Sequence, residues 1–245
     1  MRRIQIFVVI FVLFLSSFSF ANNYLLVFAG AGMRLPLDDI GKQFKKLYGI
    51  EVIYDYEGSG RLGNKILAGQ RPDIFIPGGE KWAKLLKNKG YVKSYRPIAL
   101  HIPVIITPIG DNKVNSLQDF LKKDVYLVLG DNKACAIGRV SNLIFKREKI
   151  DKNKLKILAK GVTVKQLVHW IEGKNADASI VWHADAVQSG KVRIVTIPDE
   201  INCVDIIPVC EMSNAPHPKI AQNYINYLLS EGKSIFKKYG FKVTK

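Results

Sequence analysis

Four short segments of the 245-residue sequence place glycine or hydroxyl residues directly after an apolar run. They are Phe28-Ala29-Gly30-Ala31-Gly32-Met33, Tyr56-Glu57-Gly58-Ser59-Gly60, Pro77-Gly78-Gly79 and Ala134-Cys135-Ala136-Ile137-Gly138-Arg139. Glycine lets a ligand come close to backbone N–H groups, and N–H groups at a helix start hold anions without a charged side chain. Ser59 adds a hydroxyl, and Arg34 stands just beyond the first segment. Each favourable charge–helix interaction is worth about 0.3–1 kcal/mol when exposed and up to about 2 when partly buried. Several must therefore converge to hold an ion stripped of water. Such donors suit a compact tetrahedral oxyanion, which accepts from all sides. Taken singly, each glycine serves equally well in a tight turn, and Ser59 as the cap of a helix from Arg61. None of the segments is a phosphate loop, because no glycine-rich run ends in Gly-Lys-Ser or Gly-Lys-Thr.

Other chemistry finds less support. A hydrolase needs a base positioned beside its nucleophile, and His101, His169, His183 and His217 are scattered with no local signature. Asp73 and Asp185 border β runs and read as turn or cap residues, so no enzyme is expected. Glu57 is an alternative metal ligand. Tyr54 and Tyr56, its neighbours, alternate onto one face, that of the core. Three cysteines, Cys135, Cys203 and Cys210, form at most one pair, and whether any two are bonded stays open. There is no Cys-x-x-Cys or Cys/His spacing for zinc, and no cofactor is expected.

The elements that must position these residues alternate strand and helix. Strands are expected at Tyr24 to Ala29, Ile50 to Tyr56, Ile74 to Ile76, Pro103 to Ile106, Val125 to Leu129, Ala178 to Val181, Val192 to Ile197 and Val204 to Val209. Helices are expected at Leu35 to Tyr48, with Gly49 to end it, then Arg61 to Ala68, Glu80 to Lys89, Cys135 to Lys149 and Val164 to Glu172. One or two more follow from Pro218 to Lys238, and Asn115 or Ser116 is placed to cap a turn over Leu117 to Leu121. This order implies an α/β fold with mostly parallel sheets flanked by helices. No long flexible linker is present, so two lobes would be joined by a chain crossing twice, near Ile102-Pro103 and Ile206-Pro208. Ligands in open α/β sheets bind at the carboxyl ends of the strands, where the four segments lie.

The amino terminus places the chain outside the cytoplasm. Arg2 and Arg3 precede an apolar run from Ile4 to Leu15, and Ser19-Phe20-Ala21 sets small residues for a cut before Asn22. That layout predicts a cleaved signal peptide over residues 1–21. The formal charge is +16, of which the leader's two arginines supply two. A basic surface draws anions. Nucleic-acid binding would require a basic stripe with interleaved aromatics, which is missing.

In combination, VFAGAGMRLPLDDIGKQF, YEGSGRLGNKI, DIFIPGGEKW, DNKACAIGR and ADASIVWHADAV resemble the periplasmic molybdate/tungstate-binding proteins of ABC importers. These belong to the two-lobed extracellular solute-binding superfamily, and the resemblance covers nearly the whole mature chain. It implies two α/β lobes with the ligand in the cleft between them, residues 22–103 with 206–245 forming lobe 1 and 104–205 forming lobe 2. It also implies molybdate or tungstate as ligand, a membrane-embedded ABC permease as partner, and a monomer. Sulfate, phosphate, an organic anion or a metal–anion complex are the alternative cargoes. By resemblance the ligand-binding positions are Gly32, where the family has serine, Ser59 and Gly60 in the Gly-Ser-Gly turn, Ile137 and Gly138 through backbone N–H groups, Val164, and Trp182, where the family has tyrosine. Trp182 keeps an N–H donor and loses the acceptor.

Overall fold

The computed structural model describes residues 24–244, so the expected leader over residues 1–21 lies outside the described residues. The chain begins with β1 (Tyr24–Gly30), α1 (Arg34–Tyr48), β2 (Glu51–Glu57), α2 (Ser59–Leu67), β3 (Ile74–Ile76) and α3 (Glu80–Asn88). Leu25, Val27 and Ala29 pack into one core cluster, while Leu26 and Phe28 meet the cluster on the opposite face. Burial on both faces is why β1 reads as an unbroken apolar run. In α1, Leu37, Ile40 and Phe44 are fully buried, but Leu47 is 63% exposed although its spacing matched the apolar stripe. Gly49 ends the helix at φ 68°, a left-handed conformation, and its N–H bonds Lys45 O at 2.9 Å.

The strand β4 (Val92–His101) runs directly into β5 (Pro103–Pro108) through Ile102. Next come β6 (Leu127–Gly130), α4 (Ala136–Arg147), β7 (Ile157–Gly161), α5 (Val164–Glu172), β8 (Ser179–Trp182), α6 (His183–Ser189) and β9 (Val192–Thr196). The chain closes with β10 (Asp205–Met212), α7 (Pro218–Tyr227), α8 (Lys233–Lys238) and β11 (Lys242–Val243). The turn before β6 is capped in reverse of the expected sense. The Asp119 carboxylate, in a 3-10 turn over Gln118–Leu121, accepts from the N–H groups of Asn115 and Ser116 at 2.8 and 2.9 Å.

These elements form two lobes. One holds a six-stranded sheet in the order β11-β4-β10-β3-β1-β2. The other holds β8-β5-β9, extended by β6-β7 through a bridge between Leu127 and Ala178. Both sheets are mixed. Parallel pairing joins β1 to β2 and β3, and β6 to β7. Antiparallel pairing is more extensive than the helix-alternating order implies. The long strands β4 and β10 carry the chain out of the first lobe and back, so they meet head to tail without a crossover helix. Strand β10 is paired with β4 from Asp205 onward. Pro208 sits beside a register shift, where the missing N–H is tolerated. Cys135, Cys203 and Cys210 are all free thiols.

Asp73 is buried completely and ties three elements together. Its carboxylate accepts from Leu26 N–H in β1 at 2.9 Å and from His217 N–H before α7 at 2.7 Å, with His217 Nδ1 3.2 Å from both oxygens. Removing it leaves two backbone donors without partners, so Asp73→Ala is expected to cost about 2–4 kcal/mol. Urea unfolding measures this directly. A loss under about 0.5 kcal/mol, the range of neutral surface changes, would mean the network is dispensable.

Candidate functional site

A cavity of about 440 Å³ opens between the lobes at the carboxyl ends of β1, β2 and β3. The first lobe supplies Gly30 to Arg34, Glu57 to Ser59, Gly78 and His101. The second supplies Ala136, Thr163 to Lys165, Trp182 and Asp185. Among the helices that begin at this wall are three with eight or more residues and no preceding 3-10 turn: α2 with Gly58 as its N-cap, α4 with Cys135, and α5 with Thr163. The first N–H groups of a helix have no partner inside it. At α5 Thr163 Oγ1 accepts from Gln166 N–H at 3.2 Å, and at α4 the Cys135 thiol is bonded to the N–H groups of Ile137 and Gly138. Arg61 N–H and Gly138 N–H close back onto Gly58 O and Cys135 O, while Ser59, Ala136 and Val164, the first residues of the three helices, line the cavity.

Ser59 is the first residue of α2 and makes no capping bond. Its Oγ instead accepts from Gly78 N–H at 2.9 Å. Gly78 O in turn lies 2.6 Å from His101 Nδ1, which must donate because a carbonyl only accepts. The relay from His101 through Gly78 to Ser59 occupies an acceptor site of the hydroxyl and leaves its proton to point elsewhere. Burial lowers the pKa of His101, opposed by its bond to Gly78, so the imidazole is neutral near pH 7. The ring of His101 stacks on Trp182, centroids 4.7 Å apart and planes at 17°. His101 closes β4 at the crossing between lobes, and nothing in its sequence neighbourhood marks it. A lone histidine beside Ile102-Pro103 carries no periodic or motif signal, so reading by spacing passed it over.

The expected ligand positions divide by what they do here. Gly32, Ser59, Val164 and Trp182 line the cavity. A side chain at Gly32 would meet nothing within 4 Å, so its α-carbon faces open space. Gly60 and Ile137 are absent from the wall, and the Ile137 N–H is bonded to the Cys135 side chain. The α-carbon of Gly60 faces Trp82. Gly138 also lies outside the wall: its N–H bonds Cys135 O at 3.1 Å, and its α-carbon packs against the backbone of Gly130 and Asp131. Glu57 lines the cavity but pairs with Lys65 at 2.8 Å. Tyr54 and Tyr56 do share a face, stacked 5.2 Å apart, with Tyr54 OH 2.7 Å from Tyr224 OH. Arg34 lies over the Tyr56 ring at 4.3 Å. Asp185, expected as a turn or cap residue, is in the cavity wall.

A family described as bacterial extracellular solute-binding proteins matches residues 25–242. The chain belongs to this family. Its members bind solutes outside the cytoplasm, work with membrane ABC permeases and are not catalysts. One relative, named as a binding protein of Haemophilus influenzae, is 28% identical over 93% of this chain and 94% of its own. The molybdate-binding protein ModA of Escherichia coli is 26% identical over 93% of this chain and 94% of its own. Among solved structures, the substrate-binding domain assigned to a molybdenum ABC transporter of Clostridium difficile superposes with a TM-score of 0.79. It is 23% identical and covers 91% of this chain and 99% of that one, a likeness of fold.

Proposed function

We propose that this protein binds a tetrahedral oxyanion, molybdate or tungstate, and delivers it to a membrane-embedded ABC permease. The observation that carries the reading is the convergence of three helix N-termini from both lobes, with the Ser59 hydroxyl, on one cavity. Such donors neutralise a dianion from several directions at once. The kinship with ModA of Escherichia coli supports the choice of anion. On this reading Ser59 donates through its hydroxyl, Trp182 through its indole N–H, and Gly32, Gly60, Ile137 and Val164 through the backbone. Gly138 holds the start of α4 in place. The lobes comprise residues 22–103 with 206–245, and 104–205, and the protein acts as a monomer. At the liquid volume of about 30 Å³ per water, the cavity has room for about fifteen waters. A single oxyanion fills only part of that space, so tight binding requires the lobes to close about the crossings.

Molybdate and tungstate are expected to raise the melting temperature. At a free ligand concentration about 100 times Kd the gain is about 2.7 kcal/mol, or roughly 5–10 °C for a domain of this size. Sulfate should act weakly, since a smaller ion cannot reach every fixed donor. Calorimetric titration of the three anions tests the reading, and sulfate binding as tight as molybdate would overturn the choice of cargo.

A further inference from the structure

Asp185 is the acidic side chain of the cavity wall that no lysine or arginine pairs among the described residues. It stands in the first turn of α6, three residues after Trp182, and also borders the groove between α5 and α6. Its charged and titratable surroundings come from each element packed on α6 or facing the cavity. Helix α5 presents Lys165, His169 and Glu172, the last accepting from Ser189 Oγ at 2.5 Å. Across the cleft stand Arg34, His101 and Glu57, the last held by Lys65. Cys135 and Arg139 lie at the start of α4. On α6 itself, His183 is bonded to Gly240 O at 2.7 Å, and Tyr239 O accepts from Gln188. Strands β5 and β8 offer no ionisable side chain, and Arg193 of β9 is turned away to Thr107 and Val114. Burial pushes the Asp185 carboxyl up to about 6, with Lys165 opposing.

An ionised carboxylate in a wall built to receive a dianion repels it at short range, and low polarity strengthens that repulsion. A protonated carboxyl in the same place is a hydrogen-bond donor. We propose that Asp185 determines the specificity of the cavity by binding its anion together with one proton, the carboxyl donating to an oxygen of a fully ionised dianion. The inference rests on the oxyanion reading above. The balance is simple: the carboxylate takes one proton from solvent as one dianion enters, and both leave together. Anion capture is therefore favoured as the medium becomes more acidic. Between the pKa of the carboxyl in the free protein and its higher pKa in the complex, each bound dianion draws in close to one proton, and affinity falls about tenfold per pH unit.

The test is calorimetric titration of molybdate between pH 7 and 9, in pairs of buffers with different heats of ionisation. Uptake of nearly one proton per molybdate is expected in the wild type, with Kd rising about tenfold per unit. Asp185→Asn keeps the shape and supplies an amide donor, so its Kd should be flat across the range with no linked proton. Tight molybdate binding without proton uptake by the wild type, a measurement that needs no variant, overturns the proposal. So does an Asp185→Asn protein that keeps the wild-type pH slope. Failure to bind molybdate or tungstate at any pH would instead overturn the oxyanion reading, and this inference with it.

Discussion

Ser59→Ala is expected to weaken molybdate binding about tenfold to a hundredfold while leaving the fold in place. The Ser59 oxygen is already committed as acceptor to Gly78 N–H at 2.9 Å, so its proton is the part available to a ligand. Removing that donor leaves one oxygen of a dehydrated anion unpaired, and hydrogen bonds to charged groups are worth roughly 1.5–3 kcal/mol. The same change strands Gly78 N–H, which costs the unliganded protein about 1 kcal/mol. A pure capping role would show the opposite balance, a lower melting temperature with affinity unchanged. Structure already weighs against that role, since Gly58 is the N-cap of α2 and no side chain caps it. Ser59→Thr, which keeps the hydroxyl, should recover most of the affinity. Titration of the three proteins, with melts in the absence of ligand, separates the accounts. Affinity in Ser59→Ala within about twofold of wild type would exclude Ser59 as a ligand donor.

How much of this site could be read from residues alone depended on what each element owes to its own sequence. Helix α5 spans Val164–Glu172 as its apolar spacing predicts, because Leu167, Val168 and Ile171 alone define its buried face. Strand β3 likewise spans Ile74–Ile76. Strand β4 was not foreseen. Its sequence VKSYRPIALH mixes charge and proline, and what makes it a strand is pairing with β10 on one side and β11 on the other. Strand β7 was missed for a similar reason: it alternates half-buried and exposed residues, and its order comes from β6. Helix α6 has seven residues, too few to show a period. Missing it hid Asp185, whose place in the cavity follows only once His183–Ser189 is helical. The glycine segments were legible as a group because strand ends gather at one side of a sheet. Which glycine faced a ligand and which faced a neighbouring backbone was not, since both demands remove the same Cβ.

Gly138 and Gly32 make that distinction measurable. Gly138 is the third residue of α4, and a Cβ there would overlap the carbonyl oxygens of Gly130 and Asp131. Gly130 ends β6, and a Cβ on it would lie 2.7 Å from Gly138 N, so helix and strand meet backbone to backbone. Neither carbonyl can swing away as a flexible side chain would. Gly138→Ala must therefore push the start of α4 off β6, and overpacking of this kind costs about 1–3 kcal/mol. That displacement also withdraws the α4 donors from the cavity. With a helix terminus worth up to about 2 kcal/mol to a partly buried anion, molybdate affinity should fall roughly tenfold or more. Gly32→Ala is the counterpart, since a Cβ there meets nothing within 4 Å and the fold has no reason to notice it. Gly32→Ser should be equally stable and place a second hydroxyl on the wall. Urea unfolding and molybdate titration of the three variants give the answer. If Gly138 served only as a backbone donor, alanine would retain its N–H and change neither stability nor affinity. That result would reverse its assignment as the residue that seats α4.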